Sequence, residues 1–275
     1  MKNIKKIGVF QIGVRSCISI LILMLCFSSS VFAQTRTTSS TQTKSSQAKS
    51  SQSKNSSSKN QPVRNQSLTT APDFFQQVSE KYASISQYEA NIKIDANKVE
   101  MEGTVSFKKP SMLRIDFTQP ENQVVVYNGT ELLIYLPRSS AVLRQNITVE
   151  NDQNAASNAA QVLAPTGLSL MSRYYSVQYE NGPNPEPIDS ENPKSKKVIK
   201  LLLTRKNNAE SFRTMNIAID PKTLLIVSID ALTTNDETFS FLFEDYIINE
   251  EIPDTRFLYD IPPDANEYNN FLFTE

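Results

Sequence analysis

The sequence predicts a mainly β domain with some α structure: a large antiparallel meander with one strongly apolar face, opened by a helix and interrupted by a helical insertion. Three observations carry this. Apolar residues recur at every second position for most of the chain after Tyr88. Asn128-Gly129 and Asp220-Pro221-Lys222-Thr223 stand as turn signals between such runs. Helical spacing is confined to the stretch after Thr70 and to a region around Pro165.

The first 33 residues have the layout of a secretory signal. Lys2, Lys5, Lys6 and Arg15 precede an apolar run from Ile18 to Phe27, and Val31-Phe32-Ala33 follows, so cleavage is expected after Ala33 with Gln34 as the first mature residue. The run is too short for a bilayer span, which needs about 20 residues. An uncleaved anchor is the alternative; a lipid-modified Cys26 would follow a bulky Leu25. Both cysteines, Cys17 and Cys26, lie in this segment, leaving the predicted mature chain no thiol.

From Gln34 to Ser67 the composition is Ser, Thr, Gln, Asn and Lys, too polar to offset the entropy of ordering, so residues 34–67 are read as a disordered tether. It carries six positive residues and no acidic one. It is either a solvated spacer or a weak contact for anionic headgroups or cell-wall polymer. Residues 1–67 hold ten of the 28 Lys and Arg and none of the 29 Asp and Glu, so residues 68–275 carry a formal −11. Such a domain repels phosphate backbones, and nucleic acid is not an expected partner. Its length suits one β domain.

The first helix has agreeing start signals: Thr70 as N-cap, Pro72 in the first turn and Asp73 three residues after the threonine. Phe74, Phe75, Val78, Tyr82 and Ile85 form its apolar stripe. From Tyr88 the period drops to two, with Ala90, Ile92 and Ile94 alternating with polar residues. Val99, Met101, Val105 and Phe107 face one way across Gly103; Leu113, Ile115 and Phe117 follow the Lys109-Pro110 turn. Gln123 to Tyr127 meets Leu132 to Leu136, including Ile134, across Asn128-Gly129. Residues 154–175 read as two short helices joined at Pro165-Thr166-Gly167, and 181–196 as a proline-rich surface loop. Met215-Ile217-Ile219 and Leu225-Val227-Ile229 flank the second turn, and Phe239, Phe241 and Phe243 mark a late strand.

The residues offer little chemistry. There is no His and no Trp, and no phosphate-cradling glycine loop, so no cofactor or metal is expected. Carboxylate pairs such as Glu100/Glu102, Asp236/Glu237 and Glu250/Glu251 could supply a glycosidase acid and base, but they fall in turns or on polar strand faces. The apolar face could fill a core, or a curled sheet covered by helices could keep a cavity.

Gly103 to Phe117, then Gln119-Pro120, then Val125 to Tyr135 resembles the outer-membrane lipoprotein carrier (LolA) family: a glycine-led strand, a basic residue before proline, a Gln-Pro turn and an Asn-Gly hairpin ending in tyrosine. Met215 to Asp220, Leu225 to Asp230, Phe239 to Phe243 and Phe257 to Pro263 continue the pattern, so the resemblance spans about Pro72 to Pro263. It implies an unclosed antiparallel β-barrel whose concave apolar face, covered by the N-terminal helix and a movable helical lid, holds the acyl chains of lipoproteins or lipids. It further implies a non-enzymatic, monomeric periplasmic carrier between an inner-membrane ABC transporter and an outer-membrane acceptor. The acyl-chain wall would be Ile92, Ile94, Val105, Phe107, Leu113, Ile115, Phe117, Leu132 and Ile134. Lys109 would latch the lid, here Leu163 to Met171 with Leu168 between them. Three departures stand out: lysine replaces the family's arginine before the proline, Ile115 occupies an aromatic strand position, and the basic tether is extra. A lipid-sensing regulatory module on the same fold is the alternative function, and a carboxylate hydrolase the third.

Overall fold

The computed structural model describes residues 69–146 and 167–270. The predicted signal segment and tether, the first half of the predicted lid including Leu163, and the last five residues lie outside them. Helix α1 (Ala71–Ser84) begins where its signals place it: Thr70 Oγ1 accepts from Asp73 N at 3.3 Å and donates to the Asp73 carboxylate at 2.6 Å. This reciprocal cap satisfies a main-chain donor that the first helical turn leaves without a partner.

Among the described residues there are thirteen strands, eleven of which form two meanders with short connections, β1 (Gln87–Ala96), β2 (Val99–Lys108), β3 (Met112–Gln119), β4 (Val124–Tyr127), β5 (Glu131–Leu136) and β6 (Ala141–Asn146) in the first, and β9 (Lys197–Arg205), β10 (Phe212–Ile219), β11 (Ile226–Thr233) and β12 (Thr238–Ile248) in the second, which β7 (Tyr175–Tyr179) joins through a longer loop. β8 (Glu186–Pro187) is a two-residue pairing onto β9 inside the predicted loop, and β13 (Asn266–Asn269) comes last. Their order is β13-β6-β5-β4-β3-β2-β1-β12-β11-β10-β9-β7, antiparallel except where β13 lies parallel to β6. The first meander, β1 to β6, meets the second through the β1–β12 pair. The end strands, β13 and β7, are not paired with each other, so this is one large sheet that does not close into a barrel.

Helix α2 (Gly167–Tyr174) follows the proline-glycine signal; Tyr175, read from sequence as the end of a helix, opens β7 instead. The strands β6, β7, β9 and β13 are additions to the sequence reading.

A sheet of twelve strands in one path would span roughly 50 Å if flat, whereas α1, at 14 residues, is about 21 Å long. The apolar face is nonetheless buried from Leu143 on β6 to Val177 on β7 in one contiguous cluster with Phe74, Phe75 and Val78 of α1. Curling supplies the rest of the cover. One device for it is at Gly103, where the β2–β3 register shifts and the backbones approach so closely that a Cβ would lie 2.3 Å from the Asp116 carbonyl oxygen.

A second bulge corrects the sequence reading of β11. Leu225-Val227-Ile229 does not share one face: the register against β10 shifts so that Ile226 and Ile229 join the main cluster, while Val227 packs with Val198 and Ala218 in a separate one. An extra residue on one strand reverses the alternation beyond it.

The outer side of the first meander is crossed by a strap of chain after β12. Lys108 Nζ, pointing outward, donates to Ile252 O and pairs with Asp254, each at 2.6 Å. Arg114 donates to the carbonyls of Arg256 (3.0 Å) and Leu258 (2.9 Å) and forks onto Asp116, which Arg256 also holds. Tyr259 lies against Tyr135, and β13 then covers the β6 edge. Val124, Val126, Leu133 and Val142, the alternates of cluster residues, are buried on this crossed side, as are Ile252 and Phe257 of the strap.

The strap anchor responds to acid. Burial pushes the Asp116 carboxyl up, but the hydrogen bonds and charge of Arg114, with those of Arg256, outweigh it and hold it below the ordinary value. A depressed folded-state pKa contributes stability that is fully present above the unfolded value of about 3.9 and is lost as pH falls through the folded one. Thermal melts at pH 3 and pH 7 are expected to differ less in Asp116→Asn than in the parent; an equal difference would show that this carboxylate contributes nothing to acid lability.

Candidate functional site

The nine predicted wall residues come from β1, β2, β3 and β5, and all are buried, with exposures of 0–7 %. They belong to the same contiguous cluster. The register explains why: Ile92 faces Gly103, Val105 faces Ile115, Phe107 faces Leu113, and the next pairings bring Leu113 to Tyr127 and Tyr127 to Leu132. Residues paired across an antiparallel ladder share a face. The missing Cβ at Gly103 leaves the gap into which β3 closes. The wall is hydrocarbon and aromatic ring throughout; the polar alternates Lys93, Glu102, Arg114 and Asp116 stand on the opposite side.

Of the predicted lid residues, Met171 is 3 % exposed and part of the cluster, Leu168 packs against it partly buried, and Leu163 lies outside the described residues. Lys109 takes a different partner from the one expected. Its ammonium group donates to Ala83 O at 2.6 Å, in the last turn of α1, the other covering helix. The last carbonyls of a helix lack intrahelical donors and carry the negative end of its dipole, so a cation is favoured there. Lys108, beside it, serves the strap. The six carboxylates weighed for acid–base chemistry are all exposed.

Sequence reasoning missed a tyrosine group at one end of the sheet. Tyr82 on α1, Tyr88 on β1 and Tyr246 on β12 pack against the cluster. Tyr88 lies 5.4 Å from Phe107 and 5.6 Å from Tyr246, ring centre to ring centre. Burial pushes all three hydroxyls above the ordinary tyrosine value. Tyr82 was visible as part of the helical stripe. Tyr246 was not, because simple alternation from Phe239, Phe241 and Phe243 would turn position 246 outward; a bulge at Asp245, φ 52°, turns it in.

The fold is an open, largely antiparallel sheet curled about a hydrocarbon cluster, against which residues of two helices pack. Residues 86–260 match the family described as "Outer membrane lipoprotein carrier protein LolA", and the chain belongs to that family. It is 23% identical over 164 residues to an outer-membrane lipoprotein carrier protein of Pseudomonas paraeruginosa, covering 60% of this chain and 69% of that one. Among solved structures it is similar to an uncharacterized conserved protein from Thermus thermophilus, with a TM-score of 0.47, 12% identity, and coverage of 71% of this chain and 98% of that one. It is also similar to a chain in the Pseudomonas aeruginosa MucA/MucB complex, with a TM-score of 0.44, 13% identity, and coverage of 71% and 62%.

Proposed function

We propose that this protein is a periplasmic carrier that takes the acyl chains of lipoproteins, or of lipids, against the inner face of its curled sheet and moves them from the inner to the outer membrane. The observation that supports this most is the nine-residue wall: side chains from four strands, joined across the intervening β4 by Val125 and Tyr127, in one contiguous apolar cluster with residues of α1 and α2. Burying acyl chain is worth about 0.8 kcal/mol per CH₂, so such a surface suffices for binding without a catalytic group. The donor is then an inner-membrane ABC transporter and the recipient an outer-membrane acceptor. Export proceeds by cleavage after Ala33, with 34–67 as a solvated spacer ahead of the domain.

Protein purified from a periplasmic extract and sprayed under native conditions is expected to carry acylated species, at the mass of a chain starting at Gln34. A mass that retains Cys26 with acyl groups would overturn the diffusing carrier. Ile115→Thr puts a hydroxyl into the wall at a fully buried position in place of the ethyl arm of the isoleucine. It is expected to weaken binding of a fluorescent fatty acid by about tenfold, the effect of roughly 1–3 kcal/mol for a buried, unpaired hydroxyl. Unchanged binding by the folded variant would place the acyl chain elsewhere.

In this reading α1 and α2 are the movable cover, and Lys109 ties α1 down. Lys109→Leu is expected to speed release of the fatty acid, whereas Lys108→Leu should loosen the strap and leave release unchanged. Equal effects of the two would retire the latch.

A further inference from the structure

The ladder between β11 and β12 is incomplete. Their pairing runs from Leu232 opposite Thr238 to Ser228 opposite Leu242 and stops. β12 continues to Ile248 along β1, and β11 begins at Ile226, so Ile226 and Val227 face Phe243 to Tyr246 with no ladder bond between them. Two bulges part the strands here, one in β11 against Ala218 and Ile219, the other at Asp245 in β12. Bulges bend their strands and end pairing.

Side chains close the gap. Ile226 N donates to Tyr82 Oη at 3.0 Å, Tyr246 Oη donates to Ile226 O at 3.0 Å, and the two hydroxyls lie 3.3 Å apart. One of the two bolts thus comes from a helix and not from the sheet. Inside the gap, Ile226 belongs to the main cluster, and Phe243, Tyr246, Tyr82 and Tyr88 pack against it. Phe243 meets Tyr246, Tyr246 meets Tyr88, and Tyr88 meets Phe107 of the acyl wall. A run of rings therefore leads from the gap to the wall. The charged neighbours are turned away from it: Glu244 pairs with Lys93 at 3.8 Å, and Asp245 accepts from Asn91.

We propose that this gap is the passage by which an acyl chain enters and leaves, and that Tyr82 and Tyr246 set the rate; the proposal rests on the carrier reading above. Parting two strands along a full ladder breaks a row of main-chain bonds together. Here, two hydroxyl bonds give way to a side-chain rotation or a small shift of α1, and the chain passes over aromatic faces without meeting a charge. A bolt that is closed in both the empty and the loaded protein changes the two rates alike and leaves their ratio alone.

The test uses the mature chain and cis-parinarate, a fluorescent fatty acid, in stopped-flow uptake and release. Tyr82→Phe and Tyr246→Phe keep the rings and remove the hydroxyls. Each is expected to raise both rates roughly fivefold, the effect of one net hydrogen bond, with Kd held within about twofold. Tyr175→Phe, which removes the hydroxyl that the end strand β7 donates to Phe212 O, is expected to leave the rates unchanged. Hydrogen exchange at the Ile226 amide should quicken in Tyr246→Phe, where its own acceptor, Tyr82, is intact. Unchanged rates in both gap variants, equal acceleration by Tyr175→Phe, or a weakened Kd with unaltered uptake would each overturn the passage while leaving the carrier reading standing. A parent protein that binds no parinarate would overturn both.

Discussion

Replacing Gly103 with alanine is expected to lower the melting temperature by about 10 °C and to cut the yield of folded protein. The added Cβ would sit 2.3 Å from the carbonyl oxygen of Asp116 and 2.9 Å from the Cα of Phe117. Both are backbone atoms of β3, so no side chain can swing aside. Relief requires parting β2 from β3 at the register shift, next to Ile92 and Phe117 of the wall. Overpacking of this kind costs about 3 kcal/mol at its upper range, and for a domain of this size each kcal/mol is worth about 2–4 °C. Melting followed by circular dichroism reads it. A shift under about 2 °C would mean that the strands can part freely there, and that Gly103 does not set the curl.

The second large effect lies in the strap. Phe257→Ala is expected to destabilise the domain by about 3–5 kcal/mol, as truncating a buried phenylalanine does, while Leu258→Ala should stay within about 0.5 kcal/mol. The two residues are neighbours in sequence, but Phe257 is 1 % exposed and Leu258 60 %. Urea titrations of both variants decide it. If they shifted the midpoint equally, the strap would be a loosely laid tail and not a second layer on the outer side. Loss in Phe257→Ala alone would establish that the sheet is packed on both sides over its first meander.

Much of this was legible in the chain itself because it depends on neighbours in sequence. Thr70, Pro72 and Asp73 start a helix through local bonds, and they do so here. Asn128-Gly129 and Asp220-Pro221 make turns by their own backbone preferences, with Gly129 at φ 101° and Asp220 Oδ1 accepting from Lys222 N. A period of two commits Ile92, Ile94, Val105, Phe107, Leu113, Ile115 and Phe117 to one side of a sheet wherever the strands pair in register, and that side is the buried one. The absence of histidine and of thiols beyond Cys26 is likewise a matter of composition.

Other features were decided only in three dimensions. Bulges broke the alternation at Val227 and Asp245, and nothing in a run of apolar residues marks where one strand will carry an extra residue against its partner. The resemblance implied a lid contact for the basic residue before Pro110, and its observed partner was not readable, since Ala83 lies 26 residues away and offers only a carbonyl that every residue has. The strap was invisible for the same reason: Arg114 and Arg256 look like solvated charges until Asp116 and two carbonyls are brought between them across 142 residues. Sequence thus determined the helix start, the turns and the apolar face, which follow from local geometry. Tertiary packing alone decided which strands slip register, where the sheet stays open, and which carbonyl each cation finds, because those depend on backbone atoms that carry no residue identity.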